Sequence, residues 1–249
     1  MRRYFSFVII LGVVTATLLA APEPQTARTR IADGFDIPVG PPDGEGYYKA
    51  RGYRPRGHQG EDWNGLGGGN TDLGDPVFST AHGLVVYARD ARMGWGNVVI
   101  IRHVYLEKGK TLTVDSLYGH LDRIFVREGQ QVSRGQKVGT IGTNHGMYPA
   151  HLHFEIRKNL SIGIHASAFR RDYSNYYSPS DFILSRRTLP GAGRSALVAI
   201  RTFKGQEGYP YSGTDKQITS KKSKSSPKDS ASSRRRGFRV DRFGDLKSF

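Results

Sequence analysis

The run from Trp95 to Leu121, WGNVVIIRHVYLEKGKTLTVDSLYGHL, restricts the fold more than any other stretch of this chain. Two segments rich in β-branched and aromatic residues flank EKGKT, whose glycine marks a turn, so it reads as strand, turn and return strand. Its neighbours repeat the theme. DPVFSTAHGLVVYARDA sets two short apolar segments around a glycine turn, IFVREGQQVSRGQKVGTIG gives short strands broken by glycines, and HLHFEIRKN closes the unit. Between Gly57 and Ile156 no twelve-residue window carries a helical period. The expectation is a mainly β protein, a small antiparallel sheet or sandwich whose second face is covered by loops.

A chain of 249 residues holds one substantial core plus flanking segments. The opening MRRYFSFVIILGVVTATLLAA, residues 1–21, has two arginines, an apolar run and small residues at its end. It reads as an export signal, or as an anchor if uncleaved. Residues 22–56 are a Pro/Gly-rich linker and approach segment, expected to be irregular. SPSDFIL is a short element with serines suited to capping a helix, and SALVAIRTF is one more apolar fragment. Residues 212–249 form a tail dense in Ser, Lys and Arg, expected to be largely disordered.

Charge and cysteine content remove several classes of function. The net charge is +15, and the tail carries a large share of it. A strongly basic exported protein is drawn to anionic envelope polymers or lipid, and no nucleic-acid motif accompanies the charge, so no specific nucleic acid is expected. There is no cysteine. Disulfide scaffolds, thiolate metal sites and cysteine nucleophiles are therefore excluded, and a lipoprotein anchor has no residue to acylate. Any metal must sit on histidine and carboxylate ligands.

HLHFEI, residues 151–156, supplies the first candidates. In an extended segment side chains alternate, so His151, His153 and Glu155 share one face while Leu152, Phe154 and Ile156 face a core. His58 and Asp62 lie in RGHQGEDWNG, where the glycines favour a loop or strand end over a helix. With a histidine from HLHFEI they make a His₂Asp set, the ligand type of a catalytic zinc site with an open water position. His120, in LYGHLD, sits where a strand runs into a turn and is not demanded by packing. His103 has the parity of Val99 and Ile101 and points into packing. His82 belongs to a turn, His145 to a loop with an incidental or rim role, His165 is incidental, and Glu155 is a supporting partner of the histidines. On these residues alone, scattered surface histidines on a secreted β-domain remain the competing reading.

Taken together, GHQGEDW, DPVFSTAHGLVVYA, GWGNVVIIRH, YGHLD, GQKVGTIG and HLHFEI resemble, in order, the motifs of the lysostaphin/LytM-type zinc metalloendopeptidases that cut peptidoglycan cross-links. The resemblance covers about Gly57 to Ile156. It implies one Zn2+ per chain on His58, Asp62 and His153, with His120 and His151 as catalytic histidines that do not bind the metal. It implies a zinc metallopeptidase domain at 57–190, followed by an extension of unassigned role at 191–211, and peptidoglycan peptides as substrate in the periplasm, envelope or exterior of a bacterium. All five positions carry the residue the chemistry needs, which counts against the alternative, a non-catalytic envelope module that binds peptidoglycan or activates an amidase. EKGKT and residues 157–190 are the places where the groove would be reshaped. Nothing in the sequence indicates the oligomeric state.

Overall fold

The structure, a computed structural model, describes residues 25–92 and 94–204. The signal segment 1–21, the tail 212–249 and the end of the 191–211 extension lie outside the described residues. The first half contains β1 (Thr26–Ala32), β2 (Tyr47–Arg51), β3 (Glu61–Gly65), β4 (Pro76–Phe78), β5 (Gly83–Asp90) and β6 (Asn97–Glu107). The second half contains β7 (Lys110–Ile124), β8 (Gln131–Val132), β9 (Lys137–Ile141), β10 (Leu152–Arg157), β11 (Tyr176–Tyr177), the helix α1 (Pro179–Leu184) and β12 (Ser195–Ala199).

The β6–β7 hairpin is the spine of the sheet, paired from Glu107↔Lys110 down to Asn97↔Leu121. Its turn is Lys108-Gly109, with φ of 48° and 73°. Two positive φ values give the tight turn whose twist matches that of the strands. EKGKT is therefore a compact turn at the hairpin's far end, and none of it lines the cleft described below. β5 lies along the other edge of β6, while β10 and β9 share the far edge of β7. β3 and then β2 extend the sheet outward from β10.

These pairings are all antiparallel, whereas β1 runs parallel to β6 and pairs antiparallel with β12, so the sheet is open and mixed. β1 and β2 arise inside the segment expected to be irregular; residues 33–46 between them and 52–56 after β2 form no helix or strand. TARTRIA gives little hydropathy signal because Thr26, Arg28 and Arg30 are exposed and only Thr29, Ile31 and Ala32 are buried. Backbone pairing to two strands supplies what its side chains do not.

The period of two separates two cores. Val99, Ile101 and Tyr105 of β6 pack with Leu152, Phe154 and Ile156 of β10, under a cover of Phe35, Ile37, Phe182 and Ile183. Val98, Ile100 and Val104 pack on the opposite face with Ile31, Leu84, Val198 and Phe203. Helix α1 forms at SPSDFIL as expected, but not through a serine cap: Ser178 makes no capping bond and Pro179 opens the helix. Ser180 instead donates its hydroxyl to Glu61 Oε2 at 2.6 Å, tying the helix to the strand that carries Asp62.

One buried ion pair holds the later chain against the hairpin. Arg102, fully buried, faces its cross-strand partner Asp115 through Nε–Oδ1 and Nη2–Oδ2 contacts of 2.7 and 2.6 Å. Its remaining donors reach the carbonyls of Ala199 and Leu160 and the hydroxyl of Thr202. The guanidinium thus gathers β12 and the loop after β10 onto one point. Asp115→Ala leaves that cation buried without its partner and is expected to cost about 3–5 kcal/mol, read from the urea midpoint; a loss under about 1 kcal/mol would show the pair to be dispensable.

Candidate metal centre

His58 and Asp62 reach one point from two different pieces of backbone. His58 lies in a tight turn bridged to Arg54, and Asp62 is the second residue of β3. Gly60 between them is required by close approach, since a Cβ there would sit 2.2 Å from the carbonyl oxygen of Phe154. That contact lets the turn lie on β10, whose His153 is the register partner of Asp62. Opposed residues of an antiparallel pair share a face, so the imidazole and the carboxylate meet.

The donor atoms form a small triangle. His58 Nε2 lies 3.2 Å from His153 Nδ1 and 3.1 Å from Asp62 Oδ1, and His153 Nδ1 lies 2.8 Å from Asp62 Oδ1. A tetrahedral zinc ion with ligands at 2.0–2.1 Å separates its donors by about 3.3 Å, so the triangle closes on such an ion with shifts of a few tenths of an ångström. The tautomers fit as well. His58 Nδ1–H donates to the carbonyl of Gly52 at 3.1 Å, leaving Nε2 bare. His153 Nε2–H donates to Glu155 Oε1 at 2.8 Å, leaving Nδ1 as the ligand atom. Glu155 is therefore the supporting partner the sequence suggests, and Arg157 Nε holds it from behind at 2.6 Å.

Without an ion, charge concentrates here. Burial pushes the Asp62 carboxyl up, but hydrogen bonds and charge from His153 and His58 hold it far below the usual carboxylate range. Burial opposes a proton on His153, yet Asp62 and Glu155 outweigh it and raise its pKa to about 9. Glu155 is pushed up by burial and pulled down further by Arg157 and His153, to about 2. Two carboxylates around an imidazole pair make a site electrostatically prepared for a cation.

The two remaining expected histidines stand over the triangle. Between Asn97↔Leu121 and Val99↔Tyr118 the hairpin register slips, and His120 sits in the resulting bulge at φ 61°. Bulges re-aim side chains, and the strand continues past His120 instead of ending there. Both the backbone N–H and Nδ1–H of His120 donate to the carbonyl of Trp95, at 3.0 and 3.2 Å. His151 precedes β10, bridged to Gly142, and its Nδ1–H donates to the carbonyl of Pro149 at 2.8 Å. The His120 and His151 rings lie 4.9 Å apart, each with Nε2 free of the backbone. Burial above all, then the neighbouring imidazoles, push the His120 pKa down to about 3.

All five residues line one cleft of about 550 Å³. Sequence reasoning missed several contributors to it. Trp95, whose carbonyl fixes His120 and whose ring meets His153 edge-on at 5.6 Å, is one; Tyr148, its ring tilted against that of His120 at 5.0 Å, is another. The flanking glycines of GWG were the available signal for Trp95. Ile164 and His165 also line the cleft, so the 157–190 segment contributes to it. His103 is buried in packing, with Nε2 at 2.7 Å from Ser116 Oγ, and His82 serves its turn by accepting from the Arg134 N–H. His145 pairs with Asp90 at 3.3 Å and does not line the cleft.

Comparison with known proteins agrees with this geometry. Residues 56–162 match Peptidase family M23. The chain is 45% identical over 86 residues to lipoprotein NlpD of Yersinia enterocolitica, covering 34% of this chain and 78% of that one. It is 34% identical over 151 residues to the murein hydrolase activator NlpD of Salmonella dublin, covering 60% of this chain but only 36% of the relative. It is 38% identical over 86 residues to the peptidoglycan DD-endopeptidase ShyB of Vibrio cholerae, 34% of this chain and 18% of that protein. With its M23 region and its His₂Asp cluster in place, the chain belongs to peptidase family M23.

Proposed function

We propose that the protein is a zinc-dependent endopeptidase that hydrolyses peptide cross-links of bacterial peptidoglycan, with one ion per chain on His58, Asp62 and His153 and with His151 and His120 acting on the attacking water. One observation carries this reading: three potential ligand atoms, one each from His58, Asp62 and His153, converge in a cleft that two more imidazoles, His120 and His151, also line. Relatives bear the names of both an activator and an endopeptidase. A module that only binds peptide or activates an amidase has no need for this set, which favours the enzyme.

Zinc in this position supplies a Lewis acid for the scissile carbonyl and lowers the pKa of water. The chain's own residues divide the proton handling. His151 Nε2, with its ring fixed by Pro149, takes the proton of the attacking water. The imidazolium so formed lies 3.9 Å from Asp62 Oδ1 and passes the proton to the departing amine. His120 stays neutral because burial disfavours its charge. Its Nδ1–H is committed to Trp95, so its bare Nε2 accepts a hydrogen bond and orients the water instead of donating to the oxyanion. This geometry favours orientation of the water by His120 over stabilisation of the oxyanion.

The metallopeptidase domain set at 57–190 is, in this reading, completed by β1, β2 and β12, which pair into the same sheet. Export to the bacterial envelope follows from the substrate and from residues 1–21. The basic tail, 212–249, would hold the enzyme near anionic envelope polymers or lipid by charge alone.

Glu155→Gln is expected to weaken zinc binding about 10- to 100-fold, because it loosens the bond that keeps His153 Nδ1 bare; competition with a chromogenic chelator measures this, and unchanged affinity would refute the tautomer lock. On defined peptidoglycans, mass analysis of released fragments should show that chelation, Asp62→Ala and His153→Ala each abolish both zinc content and cleavage. His151→Ala should keep zinc and lose roughly 100- to 10,000-fold in turnover. Near-wild-type turnover in that variant would show the base to be another group.

A further inference from the structure

Resting on the endopeptidase reading above, we infer that Arg51 selects the substrate. Its guanidinium binds a carboxylate beside the scissile bond, so the cross-link cut is built on a diamino diacid, not on lysine or a glycine bridge.

The placement of Arg51 comes from an irregularity in β2. Pairing with β3 runs Tyr47↔Gly65, Tyr48↔Asn64 and Lys49↔Trp63, then jumps to Arg51↔Asp62, leaving Ala50 as the extra residue of a bulge. In unbroken register Ala50 would oppose Asp62, and Arg51 would share the face of Glu61, away from the cleft. The bulge re-aims Arg51 onto the face of the metal ligands. The side chain indeed lines the cleft together with His58, Asp62 and His153. Cβ atoms of opposed residues lie about 4.5–5.5 Å apart, so the Arg51 side chain starts beside that of Asp62.

Among the described residues its charge has no counterpart. Lys49, two residues earlier on β2, is neutralised by Glu61 at 3.0 Å. Arg51 is exposed and forms no ion pair with any carboxylate of the described residues. Its cross-strand neighbour Asp62 has Oδ1 occupied by His58 and His153. Among the residues lining the cleft, Arg51 is the sole lysine or arginine and Asp62 the sole acid. A metal ion bound at the triangle would make the groove cationic on balance, with Arg51 as a fork-shaped donor in its wall that no carboxylate of the described residues pairs. Guanidinium and carboxylate meet through two parallel hydrogen bonds, and this geometry distinguishes an acid from its amide.

Peptidoglycan cross-links differ at the position such a donor would read. Where the amine side is a diamino diacid such as diaminopimelate, the carbon bearing the scissile nitrogen also bears a carboxylate. In lysine that substituent is hydrogen, and in a glycine bridge no charge is present. The acid lies within a few bonds of the scissile amide, beside the metal ligands, where Arg51 stands.

Three synthetic cross-linked dimers that differ solely at this substituent, carrying carboxylate, carboxamide or hydrogen, test the inference with the full-length, zinc-loaded protein. Wild type is expected to cut the acid with kcat/KM roughly 10- to 100-fold above the amide and the lysine form. Arg51→Met should bring the acid down to the level of the amide, and Arg51→Glu should invert the order. Equal cleavage of acid and amide by wild type, or a preference that survives Arg51→Met, overturns the inference while leaving the endopeptidase reading intact. If no dimer is cut, the endopeptidase reading fails. Calorimetric binding of the uncut amine-side tetrapeptide, acid against amide, then decides the role of Arg51: a preference for the acid that disappears in Arg51→Met supports it, and equal affinity overturns it.

Discussion

Two imidazoles and a carboxylate hold an ion only when each ring nitrogen facing the ion is bare, and here that condition is imposed from outside the triangle. A backbone carbonyl at Gly52 takes one proton and the buried carboxylate of Glu155 takes the other. Glu155 is tolerable in the interior because Arg157 lies against it. The chain from ligand to carboxylate to guanidinium is the constraint on which the rest of the structure depends. Each link is buried, so loss of one leaves a charge without compensation.

The sheet brings these groups together through departures from regularity. Gly60 lets a turn press onto β10, and a bulge brings His120 into the cleft lined by His58, Asp62 and His153. A second bulge does the same for Arg51. Regular strands alone would place Asp62 and His153 side by side, as their register does, but would leave the neighbouring functional groups on the wrong face. His120 accepts a left-handed backbone at φ 61° for this purpose, a conformation a non-glycine residue holds only where its surroundings impose it. The carbonyl of Trp95, bonded twice to His120, is that imposition.

Much of this was legible in the sequence because it obeys local periods. The hairpin from Trp95 to Leu121 and the alternation of HLHFEI follow from a period of two, and the type of ligand set follows from histidine and aspartate in a chain without cysteine. The β1 strand was not legible, since TARTRIA is stabilised by backbone partners far away in sequence and not by its own apolar residues. Nor were the roles of Trp95, Gly52 and Pro149, which act through carbonyls that every residue possesses. The bulges were hidden for a similar reason. A register slip is a property of two strands together, and neither YYKAR nor LYGHLD announces one alone.

The central claim is that His58 Nε2, His153 Nδ1 and Asp62 form a single zinc site with an open position. X-ray absorption at the zinc edge on protein loaded with one equivalent of metal tests it most directly. The account predicts one tightly held ion per chain, with two imidazole nitrogens and carboxylate oxygen at about 2.0–2.1 Å and solvent completing a tetrahedral shell. A spectrum lacking imidazole scattering, or one unchanged when His58 and His153 are both replaced, would contradict it.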